Sequence, residues 1–112
     1  MTYSLYHNPR CSKSRQAKAL LEEANVNFEE VLYLKAGLDA EHYAALLTQL
    51  GGEPVTHLRK GEDAFKTLPV DATLEQIAQA IEADPILLER PVLVSPKGAL
   101  VCRPPERVQD LI

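Results

Sequence analysis

Cys11 stands in the stretch YHNPRCSKSR, Tyr6 to Arg15, with Arg10, Lys13 and Arg15 within four residues of it. A thiol reacts through its thiolate, and a free cysteine with a pKa of about 8.5 is only a few per cent ionised at pH 7. Cationic neighbours and a helix N-terminus both lower that value. The stretch follows a short strand-like run and precedes a helical one. Backbone N–H groups and the positive end of a helix dipole therefore converge where Cys11 sits. Donors that stabilise a thiolate also hold an oxyanion against it, so the pattern suggests sulfur acting on a bound anion. An inert buried cysteine is the competing reading, and the polar, basic flanks do not resemble a core segment.

Three further arginines stand at predicted element boundaries: Arg59 in HLRKG, Arg90 in ERPVLV and Arg103 in VCRPPE. A planar guanidinium fork suits bidentate capture of a tetrahedral oxyanion. Arg90 and Arg103 flank a predicted hairpin, which puts both at the same edge of the sheet and lets their forks converge. Taken singly, each reads as a solvated surface charge of little energetic weight.

The elements that must position these groups follow from periodicity. Thr2 to Tyr6 alternates apolar and polar residues as a short strand, and the loop HNPRC follows. From Ser14 onward, Ala17, Leu20, Leu21 and Ala24 make one helical face that should end near Asn25. NFEEVLYL, Asn27 to Leu34, reads as a second strand, completing a βαβ unit with a right-handed crossover. Between Lys35 and Arg90 the period is helical: Tyr43, Leu46, Leu47 and Leu50 form one face, and Leu74, Ile77, Ala78 and Ile81 another. Asp39 is a candidate N-cap for the first. Thr73 to Gln76 has the form of a capping box for the second, which Asp84-Pro85 closes, and a short helix is expected around Glu62 to Thr67. PVLVSPKGALVC then gives two strands around a Ser95-Pro96-Lys97-Gly98 turn, an antiparallel hairpin. RPPERVQDLI reads as a terminal helix with proline in its first turn. The order βαβ, helices, ββα predicts an α/β thioredoxin-like fold with a mixed sheet: a single domain over residues 1–112 with a helical insertion at about 35–90.

Composition narrows the function classes. The 112 residues are 46% hydrophobic and 25% charged, which suits one globular core. The net charge is −4, which leaves no general footprint for nucleic acid, although a local basic pocket for a small anion fits. No apolar run approaches the roughly 20 residues that cross a bilayer, and Met1-Thr2-Tyr3 leads straight into a strand without a signal-peptide pattern. A cytoplasmic protein is expected. Cys11 and Cys102 fit neither a disulfide framework nor a zinc pattern, and His7, His42 and His57 complete no ligand spacing, so no metal is expected.

YHNPRCSKSR, LRKGE, ERPVLV and CRPPE, in that order, resemble the glutaredoxin-coupled arsenate reductases of the arsenic-resistance type, and the likeness spans nearly the whole chain. The family's thioredoxin-like fold with a helical insertion agrees with the periodicity. The resemblance implies that Cys11 is the nucleophile that attacks arsenate, and that Arg59, Arg90 and Arg103 hold the oxyanion. His7, Ser14 and Arg15 match positions that help poise the thiolate. It further implies that glutathione attacks the adduct, that glutaredoxin resolves the glutathione-linked species, and that arsenite leaves. Glutathione is then a co-substrate, and no bound cofactor is implied. Pro91 matches the position of a cis proline facing the active cysteine. Cys102, in a predicted strand, reads as a core residue rather than a resolving thiol. The chain carries Ser12 and Lys13 where the family typically has glycine and threonine, and it reaches Ile112 where many relatives continue.

Other functions make different demands. A redox regulator that binds RNA polymerase would need a C-x-x-C pair, and the fourth position of that motif is Ser14. A general glutathione-dependent thiol reductase needs Cys11 but no oxyanion pocket. A phosphatase loop would need arginine where Ala17 stands.

Overall fold

The computed structural model describes residues 2–112. Residue 1 of the predicted domain span lies outside the described residues. The contacts of the chain divide into two compact units, one made of the residues up to Ala36 together with Arg90–Ile112, the other of Gly37–Glu89.

The first unit is built on a four-stranded sheet. Strand β1, Tyr3–Tyr6, is followed by helix α1, Ser12–Glu23, then strand β2, Phe28–Val31, and a single turn of helix α2, Tyr33–Ala36. Strands β3, Val92–Ser95, and β4, Gly98–Val101, return later in the chain. The order is β2-β1-β3-β4, with β1 parallel to β2 and antiparallel to β3, and β3 antiparallel to β4. This is the mixed sheet expected of the thioredoxin-like fold. In the continuous run Val92-Leu93 both residues are fully buried, as befits a central strand with a partner on each side. Leu5, Ala17, Leu21, Leu93, Cys102, Val108 and Leu111 form one apolar cluster, so α1 and the C-terminal segment cover the same face of the sheet. The hairpin closes through Pro96-Lys97, where the Lys97 N–H donates to Ser95 Oγ at 3.0 Å.

The second unit is helical. Helix α3, Ala40–Leu50, begins at Asp39, whose Oδ1 accepts the His42 N–H at 2.8 Å. It stops at Gly51, whose φ of 72° favours a residue without a Cβ. A short helix α4, Asp63–Lys66, follows, and helix α5, Leu74–Ala83, starts with the reciprocal Thr73–Gln76 capping box. Helices α3 and α5 pack on each other, and their apolar stripes, Tyr43, Leu46 and Leu47 on one and Ile77, Ala78 and Ile81 on the other, are buried. An antiparallel bridge joins Leu58 to Leu88, with the Arg59 N–H on Leu87 O at 2.7 Å and the Glu89 N–H on His57 O at 2.9 Å.

Two boundaries and one helix type differ from the sequence expectation. The second strand ends at Val31, and Tyr33–Ala36 are helical. Strand β1 offers register partners only as far as Val31, and the N–H groups of Lys35 and Ala36 turn back to Leu32 O. The first helix starts at Ser12 rather than Ser14, because Cys11 itself is the N-cap. The terminal helix is a 3-10 helix, Pro105–Asp110, not an α-helix. Its main-chain bonds close after three residues, as in Arg107 N–H to Pro104 O at 3.0 Å and Leu111 N–H to Val108 O at 3.1 Å, the tighter winding of a 3-10 helix.

Candidate active site

The loop between β1 and α1 is fixed by its own backbone. The His7 N–H donates to Val31 O at 2.9 Å, and the Cys11 N–H to Asn8 O at 3.0 Å; Asn8 Oδ1 accepts the Arg10 N–H at 3.0 Å. This tight turn delivers Cys11, half-buried, to the N-cap of α1 with extended dihedrals of −92° and 122°. A cysteine makes a weak cap, and its thiol closes no hydrogen bond to the first turn. The sulfur is nevertheless made acidic. Burial pushes the thiol up, but the Ser14 N–H, the Arg90 charge, the Lys13 N–H and the Arg103 guanidinium outweigh it, and the net shift is downward. The two main-chain donors are the helix N-terminus that the sequence placed at Cys11, while the two cations come from the far end of the chain and not from Arg10, Lys13 or Arg15 beside it. Arg10 and Lys13 are exposed, and Arg15 donates from Nη1 to Pro9 O at 2.8 Å, bracing the loop.

Arg90 and Arg103 converge as the hairpin argument expected. Arg103 Nη1 lies 3.8 Å from Cys11 Sγ and donates to Arg90 O at 3.1 Å. The Cys102 N–H donates to Pro91 O at 2.9 Å, extending the pairing of β3 and β4 to the residues next to these two arginines. The Arg90-Pro91 bond is cis, as the resemblance implied, and so is Arg103-Pro104, which no sequence feature suggested.

Beneath the cysteine loop, His7 is 2% exposed and Ser14 is fully buried. His7 Nδ1 lies 2.6 Å from Ser14 Oγ, which also accepts the Asn8 N–H at 3.0 Å. Burial lowers the pKa of His7; Glu30 opposes this, while Lys18 and Arg15 add to it, so the imidazole is neutral at pH 7. A buried, neutral ring thus grips the residue whose N–H does most to lower the Cys11 pKa. Chemically, the assembly offers an accessible acidic thiol, helix N–H groups and two guanidinium groups around one point. That is equipment for a nucleophile and a bound oxyanion.

Residues 6–111 match the ArsC family. The chain belongs to the ArsC family. Among its relatives is an arsenate reductase of Neisseria meningitidis serogroup B, 35% identical, with 96% of each chain covered. The uncharacterized protein YfgD of Escherichia coli K12 is 43% identical over 96% of this chain and 94% of its own. Among solved structures, an arsenate reductase from Vibrio cholerae superposes with a TM-score of 0.92 at 33% identity, covering 100% of this chain and 98% of that one.

Within this ArsC-family chain, the remaining sequence candidates lie as follows. Arg59 belongs to the helical unit, where its guanidinium pairs with Glu62 at 3.4 Å. Cys102 follows β4 directly, is fully buried, and has its thiol pushed up to about 11, chiefly by burial; its S–H faces Leu100 O at 3.7 Å. Among the described residues, no group of three His, Cys, Asp or Glu side chains could hold a metal ion. No helix among them is long and apolar enough to cross a membrane. Sequence reasoning missed Asn8, Lys18 and Glu30. Asn8 supplies the turn; Glu30 lies 3.9 Å from His7 Nε2 and 3.0 Å from Lys18 Nζ. The available signal was the pair Glu29-Glu30 interrupting a strand, since a carboxylate on the helix-facing side of β2 needs a partner there.

Proposed function

We propose that this protein is an arsenate reductase that reduces arsenate to arsenite, with Cys11 as nucleophile and with glutathione and glutaredoxin as electron donors. The observation that carries the reading is the Arg103 guanidinium 3.8 Å from the Cys11 sulfur at a helix N-terminus. Family membership and the arsenate reductases among its relatives support the choice of oxyanion.

In this scheme the thiolate attacks arsenic, a sulfur–arsenic bond forms, and an oxygen of arsenate leaves as water after taking up protons. Arg90 and Arg103 hold the remaining oxygens, and charge-assisted forks are suited to that load. Reduction of As(V) to As(III) consumes two electrons. One thiol of glutathione and one of glutaredoxin provide them and end as a single disulfide, while arsenite leaves and Cys11 returns to a thiol. Cys102, buried and with its thiol near 11, is unsuited to resolve the adduct. His7 and Ser14 poise the thiolate through the first turn of α1, and Arg15 steadies the loop at Pro9. The glutathione-rich cytoplasm supplies the co-substrate, and no resident cofactor takes part.

The donor assignment is tested by intact-mass analysis during turnover. With arsenate and glutathione alone, the adduct should sit on Cys11, and arsenite should be released only after glutaredoxin is added. Arsenite release at full rate without glutathione would contradict the assignment. Turnover of glutathione mixed disulfides, with arsenate inert and Arg90 dispensable, would replace the scheme with a general thiol reductase.

A further inference from the structure

Glu30 and Lys18 lie outside the site as the sequence described it, yet they complete a chain of contacts that ends at Cys11. Lys18 Nζ on α1 lies 3.0 Å from Glu30 Oε2 on β2, and Glu30 Oε1 lies 3.9 Å from His7 Nε2. On the other side of the ring, Nδ1 lies 2.6 Å from Ser14 Oγ, which accepts the Asn8 N–H at 3.0 Å. A neutral imidazole carries one proton, and its two nitrogens have unlike needs here. With the proton on Nε2, an N–H faces a carboxylate and Nδ1 accepts the Ser14 hydroxyl, so every group has a complementary partner. With the proton on Nδ1, the bare Nε2 lone pair faces the Glu30 carboxylate. Ser14 Oγ would then receive two N–H groups while its own hydroxyl proton had to seek another acceptor.

We infer that Glu30, held by Lys18, is a positioning residue that keeps the His7 proton on Nε2, so that Nδ1 accepts the Ser14 hydroxyl and fixes the first turn of α1 beneath Cys11. The inference rests on the reading of Cys11 as the reacting thiol. Three groups act on the ring electrostatically: Glu30 from β2, and Lys18 and Arg15 from α1. Glu30 alone among them is an anion, and it faces Nε2 directly. The adjacent Glu29 provides an internal control, because successive strand residues point to opposite faces.

The test combines histidine-selective nitrogen NMR, with the His7 signals assigned through a His7→Gln variant, and the pH dependence of Cys11 alkylation by iodoacetamide. The wild type is expected to show a single His7 tautomer protonated on Nε2. In Glu30→Gln that signature should become mixed, and the alkylation midpoint should rise by about half a pH unit, roughly a threefold loss of thiolate below the midpoint. Lys18→Met should move both readouts the same way, Lys18→Arg should restore them, and Glu29→Gln should leave them alone. Either readout unchanged in Glu30→Gln, or an equal response in Glu29→Gln, overturns the inference. Neither assay uses arsenate or glutathione. Absent arsenate turnover with these results intact would therefore remove the substrate assignment and leave the positioning role standing.

Discussion

Replacing Arg103 by methionine removes the guanidinium while keeping most of the side-chain bulk, and its effect can be worked from one distance. A thiolate and a guanidinium 3.8 Å apart attract by about 4 kcal/mol at an effective dielectric constant of about 20. Both groups are half-exposed, and solvent screening cuts that figure to about 1–2 kcal/mol, in line with a charge-assisted hydrogen bond at a wet site. One pKa unit corresponds to about 1.4 kcal/mol, so the Cys11 midpoint should rise by about one pH unit in Arg103→Met. The sign follows from the acid: a lowered pKa leaves thiolate above the midpoint and loses it as pH falls through the midpoint. Removing the cation shifts that acidic limb to higher pH and slows alkylation about tenfold below it. Rates of iodoacetamide labelling against pH read this directly, because the buried Cys102 thiol, near 11, stays silent. Arg15→Met should move the midpoint far less, since that guanidinium is committed to Pro9 O. An unchanged or lowered midpoint in Arg103→Met would refute the electrostatic argument.

Four further outcomes follow from the same structure. Ser14→Ala strips a buried partner from both His7 Nδ1 and the Asn8 N–H, and urea unfolding should register a loss of about 2 kcal/mol or more. Thr73→Ala removes one arm of the α5 capping box and should cost about 1 kcal/mol in the same assay, with arsenate turnover unchanged. Cys102 has its pKa raised to about 11, so the unfolded chain loses that proton first as pH rises past its ordinary value. Stability should therefore fall between about pH 9 and 11, by about 2–3 kcal/mol at the upper end, and Cys102→Ala should flatten that stretch of the curve. Arg59→Ala breaks a partly exposed pair with Glu62, so urea unfolding should show a change of less than about 1 kcal/mol.

Much of this could be read before any coordinates. The helical stripes, the Asp39 cap, the Thr73 capping box and the Pro96-Lys97 turn are local signals, each set by residues within a few positions of one another, and each is realised. The convergence of Arg90 and Arg103 on each other was legible because a hairpin forces its two ends together, whereas their meeting at Cys11 was implied only by the family resemblance. The end of β2 was not legible, because it depends on how far β1 reaches as a partner, and Leu32 to Ala36 can serve as strand or helix until that partner runs out. The same limit hid Glu30. Its meaning comes from lying across the sheet–helix interface from His7 and Lys18, a relation that no window of sequence contains. The helix N–H groups that acidify Cys11 were legible as a local signal, but the cations were not: nearness in sequence favours Arg10, Lys13 and Arg15, whereas the fold presents Arg90 and Arg103 from the hairpin's ends.

The most direct test is steady-state formation of arsenite from arsenate with glutathione and glutaredoxin, comparing the wild type with Cys11→Ser and Arg90→Ala. The account predicts turnover in the wild type, none in Cys11→Ser, and a loss of roughly tenfold or more in kcat/KM in Arg90→Ala, the kinetic equivalent of one charge-assisted hydrogen bond. Wild-type turnover that survives unchanged in Arg90→Ala, or no turnover while Cys11 still titrates as an acidic thiol, would contradict it.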